Sequence, residues 1–220
     1  MIYNGDCLEI IKELGENTVD HTFTSPPYNI GLNKELDSKA KSKYDQFKDK
    51  RPDYFDWCTQ IIDELLRITD HYVFWNIQAN ARNKKQVFKL IGHYADLLEQ
   101  NFIWYKKNAT PSSAQYYVTN SVEYILCFSK KKVKANTHFI TNFVDIPKGT
   151  KSYGDFNAVM PEQLAHYFIE NFTSENQLIL DPFLGVGTTG VVCKKLNRAF
   201  IGIELVEDYY NIAKERIETV

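Results

Sequence analysis

The stretch Gln177-Leu178-Ile179-Leu180-Asp181-Pro182-Phe183-Leu184-Gly185-Val186-Gly187-Thr188-Thr189 decides the fold. Within its first five residues, the apolar run Leu178-Ile179-Leu180 ends on an acid, the pattern of a buried strand. The glycine turn Gly185-Val186-Gly187 follows at once. Residues 188–196 then carry a helical pattern, Ala199-Phe200-Ile201-Gly202-Ile203-Glu204 a second strand, and residues 207–218 a terminal helix. Strand, turn, helix and strand in that order make a βαβ unit, and such units build parallel sheets with helices on both faces.

The same alternation extends toward the N-terminus. Pro161 to Phe172 reads as a helix with proline in its first turn, where the missing N–H costs nothing. Asp6 can cap a helix whose apolar residues Cys7, Ile10, Ile11 and Leu14 share one face, with Gly15 ending it. Val19 to Thr24 is a strand stopped abruptly by Ser25-Pro26-Pro27-Tyr28-Asn29. Residues 53–69 and 81–93 are predicted helical, and Tyr72–Trp75, Phe102–Tyr105 and Glu123–Phe128 are predicted strands. Residues 135–158 read as irregular. Residues 29–52 are polar, lysine-rich and without period, which predicts a long mobile loop. The expectation is one α/β domain over residues 1–220, built on a doubly wound, mostly parallel sheet. Trp57, Trp75 and Trp104 lie in apolar patterns and are expected in the core.

Composition narrows the class. The chain has 220 residues, 44% apolar and 25% charged, ordinary values for a globular protein able to bury its own core. No apolar run approaches the ~18 residues needed to span a bilayer, and Met1 to Asp6 has no signal-peptide pattern. Cys7, Cys58, Cys127 and Cys193 are scattered without zinc-type spacing, which suits a reducing, cytoplasmic setting and no metal site. The net charge of −2 conceals an uneven distribution. Residues 33–51 hold seven Lys/Arg against four Asp/Glu, residues 102–134 six against one, and residues 160–220 five against nine.

The glycine turn lies where open α/β sheets bind ligands. Glycines allow close approach of backbone to a ligand, and the following helix presents N–H groups and a positive dipole end to an anion. Glu204, at the end of the next strand, can accept hydrogen bonds from both hydroxyls of a ribose. No Gly-Lys-Ser/Thr ends the turn, so it is not a P-loop. A ligand with a ribose and a carboxylate fits, and S-adenosylmethionine has both.

Ser25-Pro26-Pro27-Tyr28 closes a strand in an equivalent position. Two prolines fix the backbone and carry acceptors without N–H donors. The Ser25 hydroxyl and the Pro26 carbonyl can each accept from an exocyclic –NH2 while Tyr28 stacks on the base. A base inside a duplex is out of reach of such a turn, so it must be flipped out.

With both turns in view, the chain resembles the amino-methyltransferases of DNA that act on adenine-N6 or cytosine-N4. Thr24-Ser25-Pro26-Pro27-Tyr28 resembles their catalytic motif, and Asp181 to Thr189 their cofactor motif. Asn4-Gly5-Asp6-Cys7, Ile103-Trp104-Tyr105-Lys106-Lys107, Val122 to Lys130 and Met160 to Leu164 extend the resemblance over almost the whole chain. The catalytic motif comes first, as in the circularly permuted β-class. The resemblance implies a seven-stranded Rossmann-like sheet and S-adenosylmethionine as cofactor. Asp181, Phe183 and Gly185 would line its methionine end, Gly187 would also border the cofactor, and Thr188 and Thr189 would hold its carboxylate. Glu204 would hold its ribose, and Asp6 with Cys7 its adenine. Asn157 stands where the family often has His, and the expected target-recognition segment, residues 130–156, is short. A short segment suits either a short recognition site or a second subunit, including a second copy of the chain.

Double-stranded DNA is the implied partner. Lys34, Lys43, Lys130, Lys131 and Lys132 would contact phosphates, and Lys106, Lys107, Tyr116 and Tyr117 would flank the extruded base or the orphaned strand. The implied reaction is direct methyl transfer to the amino nitrogen, with no covalent enzyme intermediate. Ser25, where other members carry Asp, leans toward cytosine-N4, with adenine-N6 the alternative. A methyltransferase for RNA or a protein amide is a rival, and Ser25 with the motif order disfavours the protein-amide form. A non-catalytic nucleic-acid-binding subunit is a more distant one, disfavoured because both motifs are intact.

Overall fold

The computed structural model describes residues 1–29, 51–111, 118–153, 156 and 159–220. Most of the loop predicted over 29–52, with Lys34 and Lys43, lies outside these residues, as do Tyr116, Tyr117 and Asn157. Among the described residues the elements run β1 (Ile2–Asn4), α1 (Cys7–Lys12), β2 (Val19–Thr24), α2 (Tyr54–Ile68), β3 (Thr69–Ile77), α3 (Lys84–His93) and β4 (Leu98–Tyr105). They continue with β5 (Val122–Phe128), β6 (Phe143–Asp145), α4 (Glu162–Phe172), β7 (Leu178–Asp181), α5 (Thr188–Lys195), β8 (Ala199–Glu204) and α6 (Glu207–Glu218).

The strands form one sheet in the order β1-β8-β7-β2-β3-β5-β4-β6. The first five in that order are parallel neighbours. β5 runs antiparallel to both β3 and β4, and β6 is parallel to β4. From β2 the chain crosses through α2 to β3 on one side, whereas from β7 it crosses through α5 to β8 on the other. The strand order therefore diverges between β2 and β7, and the crevice outside their carboxyl ends is the ligand position of an open α/β sheet.

Successive strand residues point to opposite faces, and each face has its own core. Trp75 joins Ile11, Ile61, Leu65 and Leu90 beneath α1, α2 and α3. Phe74 joins Phe23, Phe168 and Val192 beneath α4 and α5. Phe168 of α4 stacks on Phe23 at 5.4 Å and lies 5.2 Å from Phe74, so the helix grips β2 and β3 together. Trp57, Trp75 and Trp104 are all buried.

Several expectations need correction. Among the described residues the sheet has eight strands where the resemblance implied seven: to the six read from the sequence, β1 and β6 add two of three residues each, along β8 and β4. Runs that short have no period of their own, and they are strands because a neighbour's edge pairs them. α1 stops at Lys12, two residues early. There the N–H groups of Glu13 and Leu14 switch to carbonyls three residues back, at 3.2 Å each, and tighten the last turn. Pro161 is extended (ψ 135°) and caps α4 from outside, its carbonyl accepting from Leu164 N at 3.0 Å.

Candidate active site

β2 and β7 lie side by side, with His21 opposite Ile179 and Thr22 opposite Leu180. Their two turns consequently leave the sheet at the same level. Thr24 Oγ1 donates to Asp181 Oδ1 at 2.7 Å. Asp181 also accepts from Phe183 N at 3.1 Å and from Thr189 Oγ1 at 2.6 Å. One carboxylate thus ties a strand end, a turn and a helix. Burial pushes the Asp181 carboxyl up to about 6, against the pull of these hydrogen bonds.

Gly187 begins α5 at φ 87°, in the left-handed region that disfavours side chains. A Cβ there would also stand 3.0 Å from Cα and Cβ of Ala213 in α6. The turn therefore delivers bare backbone and the positive end of α5 to the crevice. Glu204, at the end of β8, accepts from Gly185 N at 2.7 Å and from Val206 N at 2.9 Å. Burial pushes its carboxyl up to about 7. β1 pairs with β8 so that Asn4 faces Glu204, which brings Asp6 and Cys7 to the same end of the sheet. Asp6 Oδ1 caps α1 by accepting from Leu8 N at 2.8 Å, and burial pushes the Cys7 thiol up to about 12. Phe183 lies between Trp57 and Trp75, at 5.5 and 6.2 Å.

The second turn is held from two sides. The Tyr54 hydroxyl donates to the Pro27 carbonyl at 2.8 Å, and Asn83 Nδ2 donates to the Tyr28 carbonyl at 2.7 Å. Beyond the turn lies a polar cluster. Tyr28 Oη donates to Glu123 Oε2 at 2.8 Å and lies 3.0 Å from Ser25 Oγ. Asn76 Nδ2 lies 2.8 Å from Tyr28 Oη, 2.9 Å from Glu123 Oε2 and 3.3 Å from Ser25 Oγ. Lys106 Nζ donates to Glu123 Oε1 at 2.8 Å in a buried ion pair. Burial, then the facing Glu123 charge, raises the Tyr28 phenol well above its ordinary value.

Two turns that share one crevice, one glycine-rich and one proline-rich, are the arrangement that known proteins can be compared with. A family model for N6/N4 enzymes, described as DNA methylase, matches residues 19–215. The chain belongs to this family of DNA methylases. The type II methyltransferase M.SmaI of Serratia marcescens is 31% identical, over 97% of this chain and 89% of that protein. Among solved structures, the cytosine-N4-specific PvuII DNA methyltransferase superposes with a TM-score of 0.79 at 20% identity. That likeness covers 98% of this chain and 85% of the other. The M1.HpyAVI–SAM complex gives a TM-score of 0.65 at 24% identity, covering 99% and 98%.

The basic residues of the methylase are placed unevenly. Lys106 and Lys107 follow β4, whose carboxyl end lies on the crevice side. Lys107 is exposed there, 4.0 Å from Asp145. Lys106, expected to flank the extruded base or the orphaned strand, is turned inward onto Glu123, beside Tyr28 of the acceptor turn. Lys130, Lys131 and Lys132 were expected to contact phosphates, and the direction of β5 carries them away from the crevice. Because β5 opposes its neighbours, Phe128 pairs with Val73 and the lysines follow at the amino edge of the sheet. Lys131 Nζ donates to Asp70 there at 2.7 Å. Asp70 lies five residues, or roughly 16 Å of strand, before Trp75, the partner of Thr24.

Asn76, Glu123, Tyr54 and Asn83 were not singled out as site residues from the sequence. Glu123 carried a signal, since a carboxylate inside Val122–Phe128 must be buried and buried carboxylates need partners. Asn76, two residues from the end of an apolar strand, carried a weaker one of the same kind.

Proposed function

We propose that the methylase moves the methyl group of S-adenosylmethionine to the exocyclic amino group of a base flipped out of double-stranded DNA, with cytosine-N4 preferred to adenine-N6. The observation that carries this reading is the junction of the two turns through Thr24 and Asp181. A donor pocket and an acceptor pocket on adjacent strand ends allow in-line transfer, in which orientation does most of the work.

The residues fit the cofactor. The carboxylate of Glu204 accepts from backbone N–H groups, Gly185 and Val206 among them, yet burial pushes it toward protonation, so a pair of ribose hydroxyls would stabilise its charge. Gly185 and Gly187, both at positive φ, bring no side chain of their own to the turn, the Phe156 ring lies beside Gly185, and Thr188 with the N–H groups of α5 would meet the carboxylate of the ligand. Asp6 and Cys7 would border its adenine. Asp181 and Phe183 would border its methionine end, with Thr189 acting through Asp181. When bound, the cofactor supplies an electrophilic methyl on sulfur, and the S–C electron pair stays with sulfur as the N–C bond forms.

On the acceptor side, Ser25 and Pro26 take the two amino hydrogens. The Pro27 carbonyl is already engaged by Tyr54, which favours Pro26 as the carbonyl acceptor. The shorter, neutral Ser25 in place of Asp favours cytosine. The order of the turns, acceptor first and cofactor second, supports membership of the permuted β-class.

Incubation with mixed-sequence duplex DNA and methyl-labelled cofactor, followed by nucleoside mass spectrometry, tests the reading. N4-methylcytosine is expected. N6-methyladenine would keep the activity and overturn the base, and label found only in RNA or protein would overturn the DNA reading.

A further inference from the structure

The cluster behind the acceptor turn has a direction. Glu123 receives hydrogen bonds from Tyr28 Oη, from Asn76 Nδ2 and, on its other oxygen, from Lys106 Nζ. A carboxylate only accepts, so the single proton of Tyr28 points at Glu123. Tyr28 Oη then has only lone pairs left, and of the two hydroxyls 3.0 Å apart it is Ser25 that must donate. The Ser25 hydrogen is thereby turned away from the crevice, and its lone pair is what a substrate amine meets.

We propose that Glu123 is a positioning residue for methyl transfer, orienting Ser25 through Tyr28 and receiving along the same chain the proton that the amine must lose. This deepens the proposed function and rests on it. The nitrogen that has formed its new N–C bond carries one proton too many. Ser25 Oγ takes that proton and passes its own to Tyr28 Oη, which passes its own to Glu123 Oε2. Glu123 ends as a neutral acid and releases the proton to solvent, which restores the ion pair with Lys106. Asn76 and Lys106 hold the Glu123 side chain in place, and at 7% exposure it is nearly buried yet keeps the narrow opening through which the proton leaves.

The test compares wild-type protein with Glu123→Gln, Glu123→Asp and Tyr28→Phe. Single-turnover methylation of duplex DNA, cofactor affinity by calorimetry, and 13C-tyrosine NMR of the cofactor-free protein are measured for each. Glu123→Gln is expected to slow transfer by about 100-fold or more, the lower range for lost proton-transfer assistance. Cofactor affinity should stay within about twofold, and the rate should recover as pH rises and hydroxide replaces the lost acceptor. Glu123→Asp should regain part of the rate. In the NMR spectra the Tyr28 resonance, assigned by its loss in Tyr28→Phe, should shift in Glu123→Gln and titrate at lower pH than in wild type. Tyr28→Phe cuts the chain while leaving the Glu123–Lys106 pair intact, and should slow transfer as much even if Glu123→Gln fails to fold. A Glu123→Gln or Tyr28→Phe rate within about threefold of wild type, with an unchanged pH profile, overturns the relay alone. Parallel loss of cofactor affinity and rate in the Glu123 variants also overturns it, as the mark of a purely structural residue. A wild-type chain that labels no DNA nucleoside overturns the functional reading itself, and the relay with it.

Discussion

Thr24 and Asp181, 157 residues apart in the chain, share a hydrogen bond of 2.7 Å in which the threonine hydroxyl donates to the carboxylate. Both groups are buried, so losing either leaves the other without water to replace it. Thr24→Val keeps the shape and removes the donor. Chemical denaturation should show a loss of about 1–3 kcal/mol, and cofactor affinity should fall with it. Thr24→Ser should restore most of both. An unchanged unfolding midpoint in Thr24→Val would mean that the junction is not held by this bond.

Glu204 and Asp181 make binding and stability depend on pH, with opposite signs. Burial raises their folded carboxyls to about 7 and about 6, above the ordinary carboxylate values of 4.5 and 3.8. The folded state therefore binds protons more tightly than the unfolded one in this window. Their contribution to stability is greatest at low pH and declines as pH rises through about 6 to 7. Cofactor binding runs the other way. Ribose hydroxyls favour the Glu204 anion, so affinity should rise between pH 6 and 8, by up to about tenfold per pH unit below the folded pKa. Calorimetry at several pH values and in two buffers of different ionisation heat reads both the slope and the proton released. Glu204→Gln should flatten the slope, and an equally steep profile in that variant would reject the assignment.

Gly187 is the point where conformation and space agree. Its φ of 87° disfavours any side chain, and a Cβ would meet the backbone of Ala213 at 3.0 Å, which cannot swing aside as a flexible side-chain end could. Gly187→Ala should lower stability by about 1–3 kcal/mol and weaken cofactor binding, because α5 and α6 must part. Thermal unfolding alongside equilibrium dialysis checks it. Wild-type values in both would show that the turn relaxes freely.

The parts of this molecule that could be read from the sequence are those where one physical signal suffices. The run Leu178–Asp181, the glycines after it and the strand ending at Glu204 each announce their conformation locally, and the two turns follow from proline and glycine alone. What escaped depends on partners distant in sequence. Ile2–Asn4 and Phe143–Asp145 are strands only because β8 and β4 offer edges. An apolar run such as Tyr124–Phe128 has no polarity of its own, so nothing in it announces that β5 runs against its neighbours. That reversal moves Glu123 into the crevice and takes Lys130 to Lys132 out of it.

The same reversal predicts which lysines DNA uses. A phosphate contact contributes to the salt dependence of binding through released counterions, about 0.9 in the slope of log K against log salt for each phosphate on duplex DNA. Lys107 is exposed beside the crevice, makes a long contact of 4.0 Å to an exposed Asp145, and is available to a backbone that delivers its base to Ser25. Lys130 and Lys132 are exposed at the opposite edge of the sheet, beyond the reach of a duplex seated over the crevice. Lys107→Ala should weaken binding similarly for all DNA sequences and reduce the slope by about 1, whereas Lys130→Ala with Lys132→Ala should leave it unchanged. Fluorescence anisotropy across a salt series measures both. A reduced slope in the double variant, with none in Lys107→Ala, would place the duplex on the amino edge and separate it from the crevice where its base must enter.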